Sequence, residues 1–509
     1  MPRIPSTCRR PAARPDRRLT QENGAFGPHF LFGFQPRHKG RMYRYVSPMA
    51  LGAAVAYVLT VPVVLVGIGG WSGYDLARLL QWPVLLLATL ASALSATPAR
   101  TGSGLPGGLW LAIAAIGALA VALSPVPSMA LREAALIGGL LALAGLVSRA
   151  GDWLEALLRV VLVAAGGYAL LIAGLAITVT LAGDTVSRRD LFVGYDNHRF
   201  YSHVLTVAIP LALAARLTLT GRAWRRGADA TLALLGLMLF ATGGRGSMVA
   251  LAGGTALVLI RLGRAAFWPA VRPLVLGLAV GLAGFVLLFV WAPANDPASS
   301  AALADYSASR LASDQARLPL WRHAVDMALA SPWFGAGPMH FAQGPNAIAA
   351  HPHSLPLQIA AEWGLPMLVL VGLVIALVLR RIWQRLGTAD GASGLGIALS
   401  IGAVAVLLDA LVSGNFVVPM SQVWIAVLLG LFWAWLHPEN RGSQASAEMA
   451  GRRWLSPGRL AAVVALLLQL WLGTQMLPEA ARIGEHIKDA RAAFPTERYQ
   501  PRFWSHGRF

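Results

Sequence analysis

The sequence predicts an all-α polytopic membrane protein with about 12–13 transmembrane helices and one long outer-side loop carrying short helices. Three observations predict it. Of 509 residues, 56% are hydrophobic and only 13% are charged, with a mean hydropathy of +0.59. Soluble domains carry about 25% charged residues, so much of this apolar side chain needs lipid as its solvent. The apolar residues come in runs long enough to cross a bilayer. The arginines cluster in short stretches between those runs, a positive-inside pattern that accounts for the net charge of +19 without nucleic acid.

Residues 1–44 are rich in Arg and Pro and lack apolar periodicity. They read as a disordered cytoplasmic arm with no signal-peptide core before Met49, initiation at Met42 being the alternative. A first transmembrane block, 45–190, holds apolar runs near 48–66, 77–97, 107–123, 129–148 and 155–181. A second block, 191–436, holds runs near 203–219, 271–292, 355–379, 394–414 and 420–436. Two shorter runs between 229 and 261 meet at Gly243-Gly244-Arg245-Gly246-Ser247 and read as short helices with a break between them. Residues 437–509 add a basic loop, a last run at 459–477 and an outer tail. Small residues such as Gly138-Gly139 and Gly166-Gly167 suit close helix approach.

Orientation follows from the basic loops. Arg41 and Arg44, Arg100, Arg149 with Arg159, then Arg216, Arg222, Arg225 and Arg226 fall in alternate loops. Arg261 with Arg264, then Arg380, Arg381 and Arg385, then Arg441, Arg452 and Arg453 continue the series, which marks that side as cytoplasmic. The other side carries 67–76, 182–202, the break at 243–247, 293–354 and the tail from Pro478. The 293–354 loop predicts an amphipathic helix from Ser307 to Ala330, ended by Pro332, Gly335, Gly337 and Pro338. Its aromatic residues Trp321, Trp333, Phe334 and Phe341 argue for order.

All the candidate chemistry lies on that outer side. Arg245 breaks the charge bias and sits where a helix starts near Ser247, so it reads either as a snorkelling side chain or as an anion ligand beside free N–H groups. Arg317 or Arg322 could form a second clamp on a phosphate group, against the plainer reading of a basic face turned to headgroups. His351 and His353 have no acidic or Cys partner at ligand spacing, which speaks against a metal. They read either as interfacial histidines or, for the sharper case, as a general base. Phe192 to Phe200, with His198 and Arg199, adds polar groups to the same surface. The single Cys8 excludes a disulfide framework.

The run Arg317…Trp321-Arg322…Ser331-Pro332-Trp333-Phe334-Gly335-Ala336-Gly337-Pro338…Phe341, then His351-Pro352-His353-Ser354…Gln358…Glu362-Trp363-Gly364, resembles the core of the O-antigen ligase and polymerase superfamily. Gly243-Gly244-Arg245-Gly246-Ser247 is similar to its Ser-Arg-Gly break with Gly244 in place of Ser, and Asn197 and Phe200 before Pro210 fit its upstream signature. Met367 stands where ligases often carry glycine. The resemblance covers about 190–435. It implies a metal-independent, cofactor-free glycosyltransferase of the bacterial inner membrane that acts at the periplasmic face on undecaprenyl-diphosphate-linked glycan. It implies Arg245 and Arg317, with Arg322, as diphosphate ligands and His353 as the catalytic group, supported by His351, His198 and Arg199.

The acceptor would be lipid A–core for a ligase, a Ser or Thr side chain for a protein O-oligosaccharyltransferase, or another lipid-linked repeat for a polymerase. The outer tail, with Arg482, Arg491 and Arg498, is a candidate acceptor contact. A transporter or lipid flippase is the alternative from another class. It needs ionisable groups in mid-span, for which Asp409 is the main candidate.

Overall fold

The apolar runs form helices that lie side by side, because in lipid each backbone N–H and C=O must find its partner within the segment. The computed structural model describes residues 41–64, 71–95, 107–149, 151–184, 191–291, 317–343, 349–437, 457–493 and 500–507. The basic arm to residue 40, Arg100, residues 292–316 of the long loop, the basic loop around Arg441 to Arg453, and Arg498 lie outside them. The described residues hold 15 α-helices and no strands.

In chain order these are α1 (Arg41–Val64), α2 (Gly73–Leu94), α3 (Gly107–Ala122), α4 (Pro127–Ser148), α5 (Leu154–Leu181), α6 (His198–Thr218) and α7 (Arg222–Thr242). There follow α8 (Arg245–Val286), α9 (Arg317–Ala330), α10 (Leu355–Trp363), α11 (Leu365–Leu386) and α12 (Gly394–Asp409). Last come α13 (Pro419–Leu436), α14 (Pro457–Ala481) and α15 (Ile483–Ala493). Eight helices are long and apolar enough to cross a membrane, and shorter apolar helices at Val46–Leu59, Gly107–Ala122 and Gly394–Asp409 accompany them. This is a multi-pass membrane protein.

Three boundaries differ from expectation. The run at 355–379 is not one span: Gly364, at φ 88°, separates the nine-residue α10 from α11. A Cβ at Gly364 would strike the backbone of Trp333 and Phe334, so the break is where the preceding loop crosses the chain. The first of the two short runs reaches back to Arg222, giving a 21-residue helix. The second opens α8, which Gly263 (φ 70°, ψ 165°) breaks just past the end of that run. Asp409, expected in mid-span, instead closes α12.

Within the unit Gly40–Phe509, α6 lies at the centre, buried along almost its whole length, with α12 and α13 against it. The first half of α8 lies on α12, where Gly254 approaches the Ile401 carbonyl, and the second half packs along α7 through Gly236, Gly277 and Gly281. By contrast α11 exposes Leu365, Val369 and Leu373, apolar surface suited to lipid. Basic loops meet at one end of the bundle: Arg149 donates to Ser95 (2.9 Å), and Arg261 to the Trp383 carbonyl (2.7 Å).

Adjacent glycines divide their tasks at about 100° per residue around a helix. A Cβ at Gly166 would stand 2.6 Å from Thr231 Oγ1 on α7, whereas one at Gly167 meets nothing within 4 Å. Gly166→Leu is therefore expected to destabilise the fold by about 1–3 kcal/mol and Gly167→Leu by less than about 0.5. Thermal melts of the detergent-extracted variants check this; equal losses at the two positions would contradict the packing.

Candidate active site

Four segments converge at the end of the bundle opposite the Arg261–Trp383 contact. The first is the tip between α7 and α8. Gly243 ends α7 in the left-handed region (φ 57°), a conformation free of cost only for glycine. A Cβ at Gly244 would lie 2.5 Å from Ser202 Cβ, so the tip rests directly on α6, and the Ser247 hydroxyl fastens it by donating to the Ser202 carbonyl (3.0 Å). Arg245 opens α8 with its side chain exposed.

The second segment is the start of α6, capped by Asn197, whose side chain accepts from the Arg199 N–H (2.9 Å). His198 is buried in the first turn and Arg199 half-buried beside it. The third is α9, which buries Leu320, Ala324 and Ala328 and packs the first two against Phe341, Ala349 and Ala361. Arg317 is half-buried, while Arg322 lies on the exposed face. Five residues apart on a helix, the two point about 140° away from each other and do not clamp a single group. Of the two alternatives for a second clamp, Arg317 is the half-buried one and Arg322 the exposed one.

The fourth segment is the loop Ala349–Ser354. The Leu355 N–H donates to the Ala410 carbonyl (2.8 Å), Trp321 Nε1 donates to the Pro352 carbonyl (3.0 Å), and His351 rests on Gly414, where a Cβ would strike the ring. His353 adopts φ 51°, rare for a residue with a side chain and costly unless its surroundings enforce it. Its N–H donates to His351 Nδ1 (3.3 Å), and the two rings meet edge to face at 4.1 Å. Burial pushes the His353 imidazole down to about 3, with the charges of Arg317, His203 and Arg199 adding to it. His351 is held well below the usual range by burial and then by His353. The charges of Arg317 and Arg199 thus reach His353.

Two residues here were not marked in the sequence as parts of the site. His203 Nδ1 lies 3.4 Å from Asp409 Oδ2, with the Thr206 hydroxyl 3.5 Å from the same oxygen, and Asp409 is fully buried beside Gly246. The available signal was a polar series, Ser202, His203 and Thr206, inside an otherwise apolar helix. Among the described residues no three His, Cys, Asp or Glu side chains form a group that could hold a metal ion.

Residues 230–372 match the family described as O-antigen ligase. Over that segment the chain is similar to the O-antigen ligase superfamily. The segment runs from α7 into α11 and includes Arg245, Arg317, Arg322, His351 and His353. The match supports a transferase-type activity for this membrane protein. Comparison with curated proteins gives no match to the chain. His198, Arg199, His203 and Asp409 reach the O-antigen ligase segment from outside its matched boundaries.

The buried histidine sets a pH dependence. In the folded protein His353 stays neutral down to about 3, whereas an unfolded imidazole charges near 6.5. Between those values the unfolded state binds the extra proton, so acidification removes the stability that this group contributes. His353→Gln is expected to show a shallower fall in melting temperature than wild type between about pH 6.5 and 4. Parallel curves would contradict the buried, neutral imidazole.

Proposed function

We propose that the protein moves a glycan from undecaprenyl diphosphate to an acceptor hydroxyl at the periplasmic face of the bacterial inner membrane, as an O-antigen ligase with lipid A–core as acceptor. The observation that carries this reading is His353, held in a strained backbone conformation within reach of the Arg317 and Arg199 charges, at the end of the bundle where Arg245 also emerges. Outside the cytoplasm no nucleotide is at hand, so the donor must bring its own leaving group, and a lipid diphosphate does so.

In the reaction the acceptor oxygen bonds to the anomeric carbon as the bond from that carbon to the phosphate oxygen breaks. The electron pair leaves with undecaprenyl diphosphate. Arg317, Arg245 and Arg199 hold that anion and stabilise the charge growing on it. The hydroxyl proton passes to a ring nitrogen of His353. In the free site burial first, and then the neighbouring guanidinium charges, oppose protonation of that ring. A diphosphate seated among them cancels their charge, so the imidazole becomes a stronger base once the donor is bound. A single displacement of this kind inverts the anomeric centre. The apolar surface of the helices lets the lipid chain stay in the bilayer while its head group enters the site.

Transfer from an undecaprenyl-diphosphate glycan to lipid A–core, followed in proteoliposomes, tests this. His353→Ala is expected to lower turnover by about 100-fold or more, and Arg317→Ala and Arg245→Ala by about 10–100-fold. Arg322→Ala, on the far face of α9, should stay within about twofold, and a chelator should change nothing. Full activity of His353→Ala would overturn the mechanism. Transfer only to a pilin-like protein or to another lipid-linked repeat would move the acceptor and keep the donor chemistry.

A further inference from the structure

Residues 500–507 form a strap across the end of the bundle that holds the histidine loop, and the bundle takes up its polar groups one after another. The Tyr74 hydroxyl of α2 donates to the Arg502 carbonyl, and Arg78 Nε donates to the Phe503 carbonyl (3.1 Å). Ser505 donates to the Asp75 carboxylate through its N–H (2.5 Å) and its hydroxyl (2.6 Å). Trp504 Nε1 donates to Glu479 (2.9 Å). Gly507 comes so close to the histidine loop that a Cβ there would lie 2.9 Å from Ala350 Cβ.

The one guanidinium of the strap does something different. Arg502 is buried, and its Nη2 lies 2.5 Å from Glu362 on α10 and 2.6 Å from Glu133 on α4. The other oxygen of Glu362 accepts from the Phe341 N–H (2.9 Å), and its carbonyl accepts from the Gly337 N–H (3.1 Å). Glu362 therefore joins three things: the helix that follows His353 after Ser354, the loop after α9, and α4. The start of α10 is held by Ala410, and its end is held by Arg502. His351, depressed chiefly by burial, also feels the Arg502 charge, as does His340.

We infer that Arg502 is a positioning residue of the transferase site: acting through Glu362, it fixes α10 against α4 and so sets where His353 stands relative to Arg317 and Arg199. The inference rests on the reading of His353 as the base. The matched family segment ends at residue 372, so this support is supplied from beyond it. The other tethers of the strap, at Asp75 and Glu479, reach neither α10 nor the histidine loop, which separates anchoring from positioning.

The test measures transfer kinetics per amount of folded protein for Arg502→Met, Arg502→Lys, Glu362→Gln, Ser505→Ala and His353→Ala. Misplacing a base by a fraction of an ångström to an ångström costs about tenfold to a hundredfold, so Arg502→Met and Glu362→Gln should lose kcat by about tenfold or more. Donor KM should stay within about twofold, because the arginines that hold the diphosphate are untouched. Arg502→Lys should recover part of the loss, and Ser505→Ala should lower the melting temperature with kcat unchanged. Wild-type kcat in either Arg502→Met or Glu362→Gln overturns the inference. Should Arg502→Met not accumulate, Glu362→Gln decides alone. An active His353→Ala would instead remove the reading on which the inference rests, so the two failures are distinguishable.

Discussion

The loop Ala349–Ser354 has to present a neutral imidazole at the boundary between an apolar bundle and water, and the surrounding structure is arranged around holding it there. It is clipped from α12 through the Leu355–Ala410 bond, from α9 through Trp321, and from behind by Gly414, against which His351 rests. A left-handed backbone at His353 costs on the order of 1–3 kcal/mol and survives because those contacts leave it no alternative. A loop held less firmly would relax, and the imidazole would turn away from Arg317 and Arg199.

Lipid makes such a site harder to build than in a soluble enzyme. Asp75, Arg78, Glu362, Asp409 and Arg502 are all nearly or fully buried, and a buried charge is tolerated only when it is paired and hydrogen-bonded. The solution here is a connected polar layer confined to one end of the bundle. The apolar shell of α11, α14 and the second half of α8 faces outward around the lower part. The same low dielectric that makes each orphaned charge costly makes each guanidinium effective against a diphosphate.

Much of this was legible before the structure. The apolar runs, their alternation with basic loops and the Gly-Arg-Gly break are local features, and each reappears as a helix, a loop or the α7–α8 tip. What could not be read depends on contacts distant in sequence. The helix break at Gly364 arises because the backbone of Trp333 crosses there, which no hydropathy window senses. His203 and Asp409 are 206 positions apart in numbering and meet only through the packing of α6 on α12. Arg502 was not marked in the sequence, and its partners Glu133 and Glu362 come from α4 and α10.

The central claim is that the diphosphate sits among Arg317, Arg199 and Arg245 with the anomeric carbon turned toward His353. The most direct measurement is a structure of the protein in lipid nanodiscs with an undecaprenyl-diphosphate glycan bound. The account predicts phosphate oxygens within about 3 Å of Arg317 and at least one of its two partners, and the anomeric centre within about 4 Å of the space beside the His353 ring. A diphosphate held instead on the exposed face of α9 by Arg322, or with the glycan facing away from His353, would contradict it.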